Sequence, residues 1–211
     1  MAAGAKVRKR WISLGSRKGG PIIPRMHLRL NVLLVAVFAI LVGGGSAQAD
    51  QKDPRLDKLF QQLKTAANTE AAQPVEEQIW EIWLQSGDQN VDALMAIGVS
   101  AMNDSDYAKA YRAFSRVVDL APSFAEGWNK RATVLYLMGR YEDSIKDIDK
   151  TLALEPRHFG ALSGLGLCNA QLDREKEALD AFEKALAINP NMPGIKLDAD
   201  EMKKQLGNKS I

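Results

Sequence analysis

The chain has 211 residues, with 28 Lys or Arg against 26 Asp or Glu, two His and one Cys. One cysteine excludes an intrachain disulfide, two histidines exclude a histidine-rich metal site, and the length allows one or two domains. The basic excess does not point to nucleic acid, because residues 1–49 hold eight basic and no acidic residues, which leaves 50–211 at net −6 without a basic stripe.

That first segment reads as an address. Arg25, His27 and Arg29 precede eleven uncharged apolar residues, Val32 to Val42, and Ala47-Gln48-Ala49 then offers a small-residue cleavage site before Asp50. A basic stretch, a short apolar run and an A-x-A site describe a secretory signal. Crossing about 30 Å of hydrocarbon needs about 20 apolar residues, so the run is short for a permanent span. Cleavage is expected after Ala49, with export to a periplasm and membrane contact only during export. Translation from Met26 would leave a more compact signal and the same mature chain.

Beyond the leader, Asp53 to Ala67 places Leu56, Leu59, Phe60 and Leu63 on one helical stripe. A turn around Glu70–Pro74 and a second helix from about Val75 to Gln85 are expected to follow. From residue 91 a 34-residue period takes over. Pro122, Pro156 and Pro190 are 34 apart, and the same step aligns Gly98, Ala132 and Gly166. It also aligns Ala110, Ser144 and Ala178; Phe114, Ile148 and Phe182; and Leu94, Trp128 and Leu162. Each period holds two apolar-periodic segments, in the second copy about 125–138 and 141–154, joined at Gly139-Arg140. Gly139 suits the left-handed turn that ends a helix; Ser105 and Asp173, at the same place, suit it less well. After the last period, Pro193 to Leu206 offers Ile195, Leu197, Met202 and Leu206 to a capping helix.

These registers resemble the tetratricopeptide repeat family: Trp or Leu at the fourth place, Gly or Ala at the eighth, Ala at the twentieth, an aromatic at the twenty-fourth and Pro at the thirty-second. The resemblance covers 91–124, 125–158 and 159–192, and is plainest in AEGWNKRATVLYLMGRYEDSIKDIDKTLALEP. It implies an all-α, right-handed superhelical solenoid of helix-turn-helix repeats, with an N-terminal helical pair (50–90) and a C-terminal capping helix and tail (193–211). Trp80 falls 34 residues before Phe114, so the N-terminal pair reads as a degenerate repeat. Trp83, where the repeats hold Val117, Thr151 and Ala185, argues instead for an altered, capping unit.

No catalytic constellation accompanies the scaffold. Gly160, Gly164 and Gly166 lack the GK[ST] ending of a phosphate loop, and H-E-x-x-H, C-x-x-C and G-x-S-x-G are absent. The acids Asp143, Asp147 and Asp149 alternate with Lys146 and Lys150, as solvated helix faces do. Cys168 reads as a small buried thiol. Neither enzyme activity, cofactor nor metal is expected.

The family resemblance implies that the first helix of every repeat lines a concave groove where peptides or partner helices lie. The inward places hold Asp92, Met95, Val99, Met102 and Asn103, then Glu126, Asn129, Thr133, Tyr136 and Leu137, then Gly160, Ser163, Leu167, Ala170 and Gln171. Relatives that grip a C-terminal carboxylate use Lys and Arg in this groove. Here Met95, Asn129 and Ser163 stand at the first of those places, which leaves Lys130 and Arg131 beside the groove for an acidic partner. The expected function is a periplasmic scaffold that binds a protein or peptide of the cell envelope. The alternative is a structural homo-oligomer, self-associating through its terminal helices with Trp80 and Trp83 as anchors.

Overall fold

The computed structural model describes residues 53–209. The expected signal segment, its cleavage site and the Met26 start lie outside these residues. All regular structure described is helical: α1 Arg55–Thr65, α2 Thr69–Trp83, α3 Gln89–Asn103, α4 Tyr107–Leu120, α5 Ala125–Leu137, α6 Tyr141–Leu154, α7 Phe159–Gln171, α8 Glu175–Ile188 and α9 Pro193–Lys209.

From α3 to α9 each helix packs on the next in sequence, and α5 also meets α7. The pairs α3/α4, α5/α6 and α7/α8 are the three periods. Their close approach is written into the small residues at the eighth place. A Cβ on Gly98 would come within 2.5 Å of the Phe114 ring, and one on Gly166 would run into Phe182 in the same way. The middle period has Ala132 where its twenty-fourth residue is the slimmer Ile148, so the two positions trade volume.

The corners within the periods share one backbone. Ser105, Gly139 and Asp173 have φ of 61°, 76° and 56°. Each corner makes a pair of capping bonds, such as Gly139 N to Tyr136 O at 2.9 Å and Arg140 N to Leu135 O at 2.9 Å. This is the helix-ending motif that glycine favours and that Ser105 and Asp173 adopt against their preference.

Two expectations shift. The turn before α2 lies at 66–68, not at Glu70–Pro74, because Asn68 Oδ1 accepts the Ala71 N–H at 2.9 Å and starts the helix there. Pro74 is then carried inside α2. In α9 the buried residues are Ala199 and Met202, while Leu197 is 60% exposed. The helical repeat of 195, 199, 202 and 206 leaves position 197 off the stripe.

The N-terminal pair has its expected stripe, Leu56, Leu59, Phe60 and Leu63, buried. Its core also takes in Ala72, Ile79, Ile82 and Trp83, and reaches Phe159, Ile188 and Met192 of the third period. The first period has a separate core, from Val91 and Met95 to Phe124 and Val134, with no residue of the pair in it. The contacts of the pair therefore pass over the first repeat and run to the third and to the end of the second.

Candidate partner-binding groove

The inner helices α3, α5 and α7 carry the predicted groove residues, and the structure divides them into two ends. Where α5 and α7 begin, the residues are buried and polar. Glu126 is fully buried, with Asn129 and Ser163 at 3% exposure. Glu126 Oε2 accepts a hydrogen bond from Asn129 Nδ2 at 2.9 Å and lies 3.0 Å from His158 Nε2. His158 Nδ1 accepts the Ala161 N–H at 3.0 Å, capping α7, which assigns the proton to Nε2 and makes that nitrogen the donor to Glu126. Lys130 pairs with Glu126 Oε1 at 2.9 Å, although that oxygen accepts no hydrogen bond of good geometry. Burial pushes the Glu126 carboxyl up, but the Lys130 charge and the His158 bond outweigh it and hold the group at about 2.

Other predicted residues at this end satisfy themselves. The Thr133 hydroxyl donates to Asn129 O at 2.9 Å and the Ser163 hydroxyl to Phe159 O at 2.7 Å. Met95 belongs to the core of the first period, and Leu167 is buried as well. Toward the ends of the same helices the face opens. Val99, Met102, Leu137 and Gln171 are half-buried and Asn103 is exposed. Tyr136 is buried against Tyr141 at 5.5 Å between ring centres, and the Tyr141 hydroxyl donates to Gln171 Oε1 at 3.2 Å.

Neither basic residue set aside for an acidic partner is available. Arg131 faces α6, where Nε and Nη2 clasp both Asp147 oxygens at 2.6 and 2.7 Å, and its guanidinium lies 4.9 Å over the Trp128 ring. Asp147 is thus a buried ion-pair partner and not part of a solvated acidic face, whereas Asp143 does pair with Arg140 and Lys146 near the surface. Cys168 is buried, its thiol pushed up to about 11 by burial, and Sγ donates to Ser144 Oγ at 3.3 Å. Ser144 passes the chain on to Ala132 O at 2.8 Å, so the thiol ties α7 to α6 and α5 and is no nucleophile.

A tetratricopeptide repeat model matches residues 95–150 and again 129–193. A TPR repeat-containing protein of Rhizobium etli is 34% identical over 151 residues, 72% of this chain and 74% of that one. The chain belongs to the tetratricopeptide repeat family. The Hsp70-Hsp90 organizing protein of Triticum aestivum is 31% identical over 113 residues, which are 54% of this chain and only 19% of that protein. Among solved structures, the Sgt2 TPR domain from Aspergillus fumigatus matches with a TM-score of 0.56 at 23% identity, over 58% of this chain and 83% of that one. The first TPR of Spaghetti (RPAP3), solved with the HSP90 peptide SRMEEVD, matches with a TM-score of 0.55 at 19% identity, over 56% and 94%. At such identities the likeness is one of fold. Tetratricopeptide repeats are generally non-catalytic scaffolds that bind proteins and peptides.

His158 is the residue that sequence reasoning missed. A signal was present: the last place of the period runs Phe124, His158, Met192, so one polar ring interrupts an apolar register.

Proposed function

We propose that this tetratricopeptide repeat protein is an exported, non-catalytic adaptor that binds a partner protein or peptide along its inner face, in cell-envelope assembly or maintenance. The export part rests on the basic and apolar runs and the Ala47-Gln48-Ala49 site of the first 49 residues. The binding part rests on one observation. At the ends of α3, α5 and α7 the inner face leaves Val99, Met102, Asn103, Leu137 and Gln171 at least partly open to solvent. Thioether and aliphatic groups adapt to varied apolar side chains, while the two amides can pair with a peptide backbone. The occupant is a helix or extended segment with apolar side chains, and Lys130 and Arg131, the two cations beside the groove, are both paired within the chain.

Of the two anchors in the homo-oligomer reading, Trp83 is 2% exposed and stacks on His158 of the same chain, while Trp80 is partly buried against Phe159. Crosslinking of the tagged chain in its own cells tests the adaptor reading, beside a Met102→Asp/Leu137→Asp variant with unchanged circular dichroism. A defined envelope protein captured by the first and lost by the second is the expected result. Equal capture by both would remove the open end of the groove from the function.

A further inference from the structure

The groove end where α5 and α7 begin is occupied by the chain itself. The Trp83 ring stacks on His158 with centres 4.2 Å apart and planes 10° from parallel. Trp80 meets His158 and Phe159 edge-on at 5.4 and 5.6 Å, and Lys130 Nζ lies 5.6 Å over its ring. Gly160 makes the seat: a Cβ there would stand 2.9 Å from Trp80 Cη2. Two inter-repeat loops hold the margins of the hairpin. Arg157, braced by the buried Glu155, reaches Asp57 at 2.6 Å and lies 4.4 Å over the Phe60 ring. Asn189 Nδ2 donates to Glu76 at 3.2 Å, and Asn191 Nδ2 to Ala66 O at 3.3 Å.

The fit is specific yet unfinished. Trp83 is 2% exposed, but its indole N–H has no acceptor among the described residues. A buried, unsatisfied donor opposes the docked state. Pro74 removes one ladder bond from α2. Residues 84–88 join α2 to α3, and Gly87 in that joint has φ of 77°.

We infer that this end of the groove is a binding site for an amphipathic helix bearing two tryptophans three residues apart, and that α1–α2 is its resident, releasable occupant. The inference rests on the groove reading above and names a ligand class for the covered end. A partner helix that presents the indole pair to Gly160 and His158 competes with the hairpin. Binding there is then coupled to release of residues 55–83, which a ligand confined to the open end does not require.

The test uses the full chain and, as probe, a fluorescent synthetic peptide of residues 69–85. Wild type is expected to bind the peptide weakly, because its site is filled in cis. A Trp80→Ala/Trp83→Ala chain should bind it at least tenfold more tightly, and adding Gly160→Leu should abolish that gain. Equal affinity of wild type and the double variant, or indifference to Gly160→Leu, overturns the inference. Gly160→Leu alone guards against loss of hairpin folding, since it alters only the seat and raises helix propensity in α7. It should speed hydrogen exchange across 55–83 at least tenfold while 125–188 stays protected; unchanged exchange in the hairpin overturns the inference. A dimer at micromolar concentration that Gly160→Leu dissociates would also overturn it, by giving the seat to a second copy. The peptide belongs to this chain, so failure here leaves capture through Met102 and Leu137 standing, and failed capture leaves this result standing.

Discussion

Two loops one period apart show how a repeat acquires a special role. Ala121-Pro122-Ser123-Phe124 joins α4 to α5, and Glu155-Pro156-Arg157-His158 joins α6 to α7. Their backbones agree: Phe124 N bonds Ala121 O at 3.0 Å and His158 N bonds Glu155 O at 3.1 Å, and the residue before each proline caps its helix at 2.8 Å. Their side chains part company. Phe124 seals the core of the first period and gives α5 no side-chain cap. His158 caps α7, binds Glu126 and supports Trp83. Ala121 can brace nothing, whereas Glu155 Oε1 accepts the Arg157 N–H at 2.9 Å and holds the side chain that reaches α1. The third loop follows the second: Asn189 Oδ1 accepts the Asn191 N–H at 3.0 Å, and both residues reach the hairpin. A repeat template sets the path of the chain, and departures from it at fixed places build the loops that hold the hairpin.

The comparison breaks most severely at His158. His158→Ala removes a cap, a stacking partner and the donor to a buried carboxylate together. A loss of about 4 kcal/mol in urea unfolding is expected, from the lost cap, the lost hydrogen bond to a buried carboxylate and the cavity left by the ring. His158→Phe, which copies the first loop, restores the ring against Trp83 but neither hydrogen bond, and should recover about 1 kcal/mol of that loss. Full recovery would mean that the hydrogen bonds of His158 do not matter. The reverse exchange, Phe124→His, places an imidazole in an apolar core and should cost about 3 kcal/mol. A cost under ~1 kcal/mol would show that the two loops are interchangeable.

Acid titration probes the same site without mutation. The folded Glu126 carboxyl sits at about 2, below the ordinary 4.5. Its contribution is therefore full above about pH 4.5 and is lost as the pH falls toward 2, with a size on the order of 3 kcal/mol. Glu126→Gln should flatten the stability profile over that window. An unchanged slope between pH 4.5 and 2 would show that Lys130 and His158 do not stabilise this carboxylate.

How far the sequence reached follows from the same contrast. The 34-residue register, the helix pairs and the small residues Gly98, Ala132 and Gly166 at the eighth place were legible, because each repeats a local steric demand at a constant interval. The stripe of α1 was legible for the same reason. The destination of the hairpin was not, since it depends on Trp80 meeting Gly160 eighty residues later, and a period of 34 says nothing about contacts outside it. Glu126 was read as groove-lining by position, yet its carboxylate is bound by His158, a residue counted only as a poor metal ligand. The Glu155, Arg157 and His158 set was visible only as departures from Ala121, Ser123 and Phe124, a signal that emerges when the copies are compared with one another.

The smallest effect concerns the backbone that the periods share. Ser105 and Asp173 hold φ of 61° and 56° where Gly139 holds 76°, and both are exposed. A Cβ in that region crowds the neighbouring carbonyl, and glycine escapes the clash while giving up some entropy in the unfolded chain. Ser105→Gly and Asp173→Gly should each stabilise the repeats by up to about 1 kcal/mol, and Gly139→Ala should cost about 1 kcal/mol. A Cβ on Gly139 would meet nothing within 4 Å, so its penalty would report conformation alone. Thermal melts of the three single variants decide the point. Opposite signs for Ser105→Gly and Gly139→Ala would show that the corners share one conformational demand, and equal signs would mean that side-chain contacts at each corner outweigh the common backbone.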